Sequence, residues 1–474
     1  MPMASAPAWW PFAILAFCVA LIVVQITVLR IHAFLALVLA ALAAGLLAPA
    51  GSLPGDPSAG HGVRAVEAAA AKFGEVAGGI GIPIALASVL SMCLMESGAA
   101  DKVVRRFLAV FGPRRAGVAL LASSYVLSIP IFFDIFFMLL LPLARALRLR
   151  TGKDYLLYMM AICCAASVTH GMVAPHPGPL ALADALRLDL GLTVAAGLLA
   201  GVLPVAASWL YARWVNRRME IPLREMPGST LEDLEGVASK PESELPSFVL
   251  SILPVILPIV LISAASILKA LGGAARFPSA GPAVEFLGNR NVALLIGLAL
   301  GMGVLARQRR LSLARIGELS GPPLQTAGIV ILITAAGGAF GKMLQLAGVG
   351  EAIKAAVAGR EVDLILLSWT VAAVIRVAQG SATVAMLTTA GMMAPIVGTG
   401  AGLPYHPVYL FLAIGFGAMI FSWMNDSGFW VVSRLGGMTE KETLKSWSVV
   451  VTVNSVAGLA VTWLAAAVFP LAGP

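Results

Sequence analysis

The stretch SVTHGMVAPHPGPLAL, Ser167 to Leu182, decides how this chain folds, because it breaks an otherwise apolar segment. It contains two histidines and three prolines within sixteen residues. Pro175, Pro177 and Pro179 stand with Gly178. A proline in a helix removes a backbone donor, and its ring clashes with the preceding turn. We therefore expect a helix that is interrupted within this stretch.

The sequence around this break is that of a membrane protein. Of its 474 residues, 59% are hydrophobic and only 12% are charged, and the mean hydropathy is +0.93. Soluble domains do not have this composition. Several apolar runs approach or exceed the roughly 20 residues that a spanning helix needs: 9–29, 32–48, 248–271, 292–306 and 449–469. The composition predicts an all-α polytopic membrane protein.

The charged residues and the cysteines argue against two other classes of protein. The net charge of +8 comes from short basic clusters between apolar runs, which is the pattern of cytoplasmic loops rather than of a nucleic-acid surface. The four cysteines lie in apolar segments without metal-ligand spacing. We expect no nucleic-acid partner, no metal and no cofactor.

A hairpin is predicted between two of the basic clusters. The clusters occupy residues 102–115 and 145–153, and residues 116–144 lie between them. These are too many residues for one straight crossing and too few for two. Pro130, in the sequence SIPIFFD, stands where a helix has to stop. Since both flanks are predicted to be cytoplasmic, we expect a re-entrant hairpin at about 116–145.

The chain matches itself when it is shifted by 250 residues. In this register Gly98 pairs with Gly348, Gly178 with Gly428, and the hairpin tip at Pro130 falls on Gly380. The loop after Gly98 is basic, whereas the loop after Gly348 carries more acidic residues, which places the two on opposite sides of the membrane. The two halves are therefore predicted to be inverted repeats.

The repeat predicts the organisation of the whole chain. Residues 1–219 form the first repeat, 220–246 a cytoplasmic linker, and 247–474 the second repeat. We expect about ten transmembrane helices, two re-entrant hairpins and two broken helices. The hairpins lie at about 116–145 and 364–398, and the broken helices at about 155–187 and 408–435.

The broken helices point to a binding site. Unpaired backbone groups are tolerated at membrane depth only where protein or a water-filled cavity surrounds them. Transporters with inverted repeats bind their substrate and coupling ion at such breaks. We therefore expect the two breaks and the two hairpin tips to converge on a substrate site. Its candidate residues are Ser128, Thr169, His170, Gly171, His176, Gly178, Arg376, Gly380, Ser381, Thr383, Asn425, Asp426 and Ser427.

Ionisable residues within the membrane are costly and mark function. Asp134, flanked by phenylalanines, is the predicted proton carrier. Asp426, among polar neighbours, is the rival for this role, and we expect it to stay ionised and to bind the substrate or Arg376. Arg376 either pairs with a carboxylate of the protein or binds that of a substrate. His170 and His176 have no third ligand nearby in the sequence, so we expect no zinc site.

Five motifs are similar to those of a known family. They are IPIFFD at 129–134, THG at 169–171, HPGP at 176–179, QGSATVA at 379–385 and NDSGFW at 425–430. With them the chain resembles the gluconate permease family of proton symporters, within the ion transporter superfamily. Relatives often have Glu at the position of Asp134 and His at that of Trp423.

The resemblance implies a function and an assembly. It implies uptake of gluconate or a related sugar acid with a proton, across the inner membrane, by a homodimer in which a transport domain moves against a scaffold. D-serine is the second candidate substrate, since some relatives carry it. Two alternative functions belong to different classes of protein. They are a channel and a membrane hydrolase that uses Ser381 or Ser427 with His170 or His176. The chain lacks the G-x-S-x-G motif of such hydrolases, and closing hairpins favour occlusion over a channel.

Overall fold

The fold is built almost entirely from helices. The computed structural model describes residues 7, 9–112, 115–224, 241–271, 273–357, 363–398, 403–424 and 426–471, and these ranges contain no strand. Within them, 7 helices are long and apolar enough to cross a membrane. The prediction of an all-α polytopic membrane protein is confirmed.

The first half of the chain contains nine α-helices in its described residues. A π-helical turn, Val24–Val28, extends the first of them. The helices are α1 (Trp10–Val23), α2 (Ala33–Leu47), α3 (His61–Glu96), α4 (Ala99–Phe111), α5 (Ala116–Leu127), α6 (Phe133–Thr151), α7 (Tyr155–Met172), α8 (Pro177–Ala185) and α9 (Leu190–Asn216).

The second half has a similar order of elements. Its helices are α10 (Phe248–Ala270), α11 (Gly273–Arg276), α12 (Gly281–Leu287), α13 (Arg290–Arg309), α14 (Leu313–Leu319), α15 (Gly321–Leu346), α16 (Val349–Val357), α17 (Leu364–Gln379), α18 (Ala382–Gly398), α19 (Val408–Gly417), α20 (Ser427–Leu435), α21 (Glu440–Thr443) and α22 (Val449–Val468). A π-helical turn, Leu444–Ser448, precedes α22.

Each predicted hairpin and broken helix contains an interruption in the structure. Pro130 lies in the turn between α5 and α6, and Pro177 begins α8, where its missing N–H costs nothing. Gly380 separates α17 from α18 with a φ of 87°, a left-handed conformation that favours glycine. The first hairpin extends past its expected end near residue 145, because arginines do not stop a helix; α6 ends at Thr151 and is followed by Gly152, whose φ is 71°.

Element boundaries and packing recur at the predicted offset of 250 residues. Helix α3 ends at Glu96 and α15 at Leu346, and α8 and α20 begin at Pro177 and Ser427. The packing of α5 on α7 recurs as α17 on α19, and that of α8 on α18 as α20 on α6. This recurrence supports the internal repeat.

Equivalent helices begin at opposite ends of the molecule. The hydroxyl of Tyr211, near the end of α9, donates to the carbonyl of Lys445 before α22 (2.6 Å), so α9 and α22 run antiparallel. Asn216, at the end of α9, accepts from the N–H of Leu157 near the start of α7 (3.0 Å). The backbone N–H of His406, just before α19, donates to the carbonyl of Pro470, which lies beyond the C-terminal end of α22 (2.7 Å). Helices α7 and α19 therefore start about 30 Å apart along α22. An inverted repeat requires that equivalent helices start at opposite ends of the molecule. Which of these ends faces the cytoplasm stays a prediction.

The described ends of the predicted linker are attached to the helices. Glu220 forms an ion pair with Arg148 on α6 (2.9 Å), and Arg224 forms one with Glu442 on α21 (2.7 Å). At the other end, Glu242 accepts from Lys102 on α4 (2.6 Å). Residues 225–240 of the linker lie outside the described residues.

Candidate functional site

A cavity of about 460 Å³ lies where the four interrupted elements meet. Residues from both hairpin turns and both helix breaks line it. Nine of the residues predicted from the sequence are among them: Asp134, His170, Gly171, Arg376, Gly380, Ser381, Thr383, Asp426 and Ser427. The sequence therefore identified most of the polar wall of this cavity.

Four helix N-termini converge on this cavity. Its wall includes Phe133 at the start of α6, Pro177 at the start of α8, Ala382 at the start of α18 and Ser427 at the start of α20. Each N-terminus carries about half a positive elementary charge, so the four sum to about +2. The cavity is therefore suited to an anion.

The second hairpin tip supplies hydroxyl groups to the cavity. Gly380 turns the chain, and the Ser381 hydroxyl accepts from the N–H of Val384 (3.3 Å), which caps the first turn of α18. Thr383 follows within the same turn and also lines the cavity. Because the tip fixes the positions of Ser381 and Thr383, both can contact a bound molecule without reordering of the backbone.

A buried ion pair joins the second hairpin to the second break. Arg376 Nη2 donates to Asp426 Oδ2 (2.6 Å), and the exposed fractions of the two side chains are only 6% and 12%. Asp426 also caps α20 through the N–H of Gly428 (3.3 Å). Arg376 Nε and Nη1 are buried and have no partner within the described part of the chain. The arginine is thus oriented by the protein, and two of its buried donors have no described acceptor.

A network that the sequence did not indicate supports Asp426. The Ser422 hydroxyl donates to Asp426, and the Trp447 indole donates to Ser422 Oγ (2.7 Å). The Trp447 ring stacks on Phe133, with centroids 4.9 Å apart. The indole N–H of Trp423 donates to the carbonyl of Val377 (3.0 Å). No local motif marks Ser422 or Trp447, since their roles depend on contacts between distant elements.

Some predicted residues hold the first break in place and lie behind the cavity wall. His176 Nε2 lies 2.7 Å from the carbonyl oxygen of Ser128, and the hydroxyls of Ser128 and Thr169 bond to each other. All three residues are buried. The centroids of the His170 and His176 rings lie 4.2 Å apart. His170 also lines the cavity. In this arrangement Ser128, Thr169 and His176 connect the first hairpin turn to the broken helix.

Gly178, another predicted residue, lies between two packed helices. A Cβ at Gly178 would lie 2.7 Å from Met386 Sδ, so this glycine permits close packing of α8 on α18. Asn425 lies outside the described residues.

The remaining wall of the cavity is largely apolar, and the sequence did not single it out. Phe132 and Phe133 flank Asp134, which makes no hydrogen bond or ion pair with the part of the chain that the structure describes. An unpaired carboxylate beside a water-accessible cavity can take up and release a proton. The other members of the wall are Ala33, Ser167, Pro177, Val330, Ile333, Ala382, Met419, Gly428, Trp447 and Val451.

Comparisons with known proteins agree with this architecture. A family model described as GntP family permease matches residues 10–468. The chain is 34% identical over 446 residues to a gluconate permease of Pseudomonas aeruginosa, covering 92% of this chain and 93% of that protein. It is 31% identical over 453 residues to the Gnt-II system L-idonate transporter of Escherichia coli, covering 95% and 97%. The solved YdaH transporter of Alcanivorax borkumensis shares the fold, with a TM-score of 0.61 at 14% identity over 98% of this chain and 100% of that chain.

Proposed function

Because the chain belongs to the GntP family of permeases, we propose that it carries gluconate or a related sugar acid into the cell together with a proton. The proposed substrate is a small monocarboxylate with several hydroxyl groups. Relatives named as gluconate and L-idonate transporters, of which this chain covers more than nine-tenths, support this choice. The chain is a membrane transport protein and not an enzyme.

The convergence of four helix N-termini on one cavity carries the proposal. Their summed charge of about +2 and the charge of Arg376 favour an anion even beside two carboxylates. The two unpartnered nitrogens of Arg376 suit the carboxylate of the substrate. Ser381, Thr383 and Ser427 offer hydroxyls along the same wall. A sugar acid supplies the matching groups, namely one carboxylate and a row of hydroxyls.

Alternating access is supported by a difference in volume between two cavities that are lined by equivalent residues of the two repeats. Ile333 and Gly380 line the large cavity, whereas their equivalents Pro83 and Pro130 line a cavity of only about 20 Å³. One path to the centre is therefore open and the equivalent path is closed. In the opposite state, the two are expected to exchange.

The open path leads to the predicted cytoplasmic side. Trp447, in the wall of the large cavity, is two residues from Lys445, which contacts the basic C-terminal end of α9. The small cavity instead includes Leu190 and Val194 at the other end of α9. On this assignment the structure represents an inward-open state.

The moving part is proposed to consist of the two hairpins and the two broken helices. Helices α3 and α15, which pack against each other, belong to the scaffold in this scheme. Sliding of the hairpins and broken helices against the scaffold would open the two paths in turn, in an elevator-type transport cycle. We place the protein in the cytoplasmic membrane as a homodimer, with Asp134 as the proton carrier and Asp426 holding Arg376.

Counterflow of labelled gluconate in proteoliposomes tests this function. Vesicles loaded with unlabelled gluconate should transiently accumulate the label, because a carrier exchanges one substrate molecule for another. A channel would give no counterflow, and a hydrolase would yield an altered product; either result would overturn the proposal. Competition by D-serine at concentrations where L-idonate has no effect would identify an amino-acid carrier instead.

A further inference from the structure

One face of α9 is not covered by the rest of the described chain. Leu199, Leu203, Leu210 and Trp214 are 76%, 62%, 63% and 48% exposed. Their spacing of four, seven and four residues places them on a single stripe along the helix. From Leu199 to Trp214 the stripe rises about 22 Å, which exceeds the roughly 15 Å depth of one leaflet's hydrocarbon.

The stripe ends in a basic pocket. A cavity of about 340 Å³ at the C-terminal end of α9 is lined by Arg148, Lys153, Arg217 and Arg218, together with residues at the start of α7 and in the segment that follows α9. The guanidinium carbon of Arg218 lies 4.4 Å from the centroid of the Trp214 ring, so the stripe and the pocket are continuous.

The pocket retains unpaired positive charge. Its four basic side chains outnumber its two carboxylates, of which Glu220 pairs with Arg148 (2.9 Å) and Asp154 accepts from Asn216 (2.8 Å). No carboxylate of the described residues forms an ion pair with the other three cations of the pocket, which are Lys153, Arg217 and Arg218.

We propose that this surface binds one anionic phospholipid. The phosphate of the headgroup lies among Lys153, Arg217 and Arg218, and an acyl chain lies along the apolar stripe of α9. Basic residues at the end of a membrane helix attract anionic headgroups, and an amphipathic tryptophan at that level is typical of the membrane interface. The site is separate from the cavity between the hairpins.

Charge decides between a lipid and a second copy of this chain. In a symmetric dimer whose axis is normal to the membrane, packing of this face on itself would place Arg213, Arg217 and Arg218 beside the same residues of the partner. The like charges would repel. An anionic lipid instead neutralises them, and the length of the stripe gives its acyl chain a continuous apolar surface, which free phosphate would not use.

Native mass spectrometry of the detergent-solubilised full chain tests the proposal. The protein is titrated with dioleoylphosphatidylglycerol, with dioleoylphosphatidylcholine and with inorganic phosphate. The wild type should retain one phosphatidylglycerol molecule, and the double variant Arg217→Gln/Arg218→Gln should bind it about 30-fold more weakly. The matched variant Arg307→Gln/Arg310→Gln, whose exposed arginines lie at the end of α13, should bind as the wild type does.

Further arms of the titration separate the explanations. The charge-preserving variant Arg217→Lys/Arg218→Lys should recover most of the affinity, which would exclude a general folding defect. Equal retention of phosphatidylcholine, displacement of the lipid by millimolar inorganic phosphate, or unchanged binding by the glutamine variant would each overturn the proposal.

Discussion

At the scale of single residues, Arg376 is the centre of the proposed site. Its Nη2 is held by Asp426, and its Nε and Nη1 are buried and have no acceptor among the described groups. The two roles that the sequence suggests for Arg376 are therefore compatible. The protein carboxylate orients the guanidinium, and the substrate carboxylate can use its remaining donors.

The variant Asp426→Asn should weaken gluconate binding and destabilise the protein. Loss of the carboxylate leaves a buried guanidinium without its counter-charge, which typically costs about 3–5 kcal/mol. Binding is measured by isothermal titration and stability by the thermal unfolding midpoint in detergent. The double variant Arg376→Gln/Asp426→Asn should regain part of the stability and none of the binding. A single variant as stable as the wild type would contradict a structural role for the pair.

The hydroxyls of the second tip give a second prediction. Ser381→Ala and Thr383→Ala should each weaken gluconate binding by about 0.5–1.5 kcal/mol, the usual contribution of one hydrogen bond. Thr370→Ala is the matched control, because Thr370 lies on the same hairpin, is exposed and, among the described residues, bonds only to the carbonyl of Leu366 (2.7 Å). The dissociation constant is the readout, and an unchanged value in both tip variants would remove these residues from the site.

The sequence predicted residue types better than residue roles. Glycines, prolines and carboxylates within apolar segments identify the cavity, since each is costly there without a function. The sequence offered the pairing of Arg376 with Asp426 as one of two alternatives, whereas the support from Trp447 and Ser422 depends on which distant elements meet. For the same reason, the sequence did not indicate that Ser128 and Thr169 bond to each other behind the wall.

At the scale of elements, the interruptions were the most predictable feature. Proline and glycine act through the local backbone, so the breaks near Pro130, Pro177 and Gly380 follow from the sequence itself. The end of α6 was less predictable. Clustered arginines mark the edge of the hydrophobic region, but they are good helix formers, and the helix continues to Thr151.

Labelling of two equivalent positions tests the orientation of the repeats. Lys153 and Leu403 lie just before α7 and α19 and are 250 residues apart. In a background where the four native cysteines are replaced by alanine, Lys153→Cys should react with an impermeant maleimide only from the cytoplasmic side and Leu403→Cys only from the periplasmic side. Reaction of both from one side would exclude an inverted arrangement.

At the scale of the whole molecule, the two unequal cavities predict a state-dependent accessibility. In the same cysteine-free background, Ile333→Cys in the large cavity should react readily and Ile259→Cys in the small cavity slowly. Gluconate together with a proton gradient should raise the reaction of Ile259→Cys from the periplasmic side and lower that of Ile333→Cys. Simultaneous access to both positions from one side would indicate a continuous pore.

The proposed coupling of a sugar acid to a proton is also a property of the whole cycle, and a variant of Asp134 can test it. Asp134 faces the same cavity as Arg376 and Asp426 but has no described hydrogen-bond or ion-pair partner. A carboxylate that takes up and releases a proton in each cycle has to be free of permanent partners. Exchange of gluconate for gluconate returns the carrier loaded, so it needs no net release of the proton.

Gluconate transport by Asp134→Asn in proteoliposomes, with and without an imposed pH gradient, therefore tests proton-coupled transport most directly. The wild type should accumulate gluconate when the gradient is imposed, whereas Asp134→Asn should exchange labelled gluconate at a measurable rate and accumulate none. Accumulation by Asp134→Asn in response to the gradient would contradict its assignment as the proton carrier, and absence of gradient-driven accumulation by the wild type would contradict proton coupling itself.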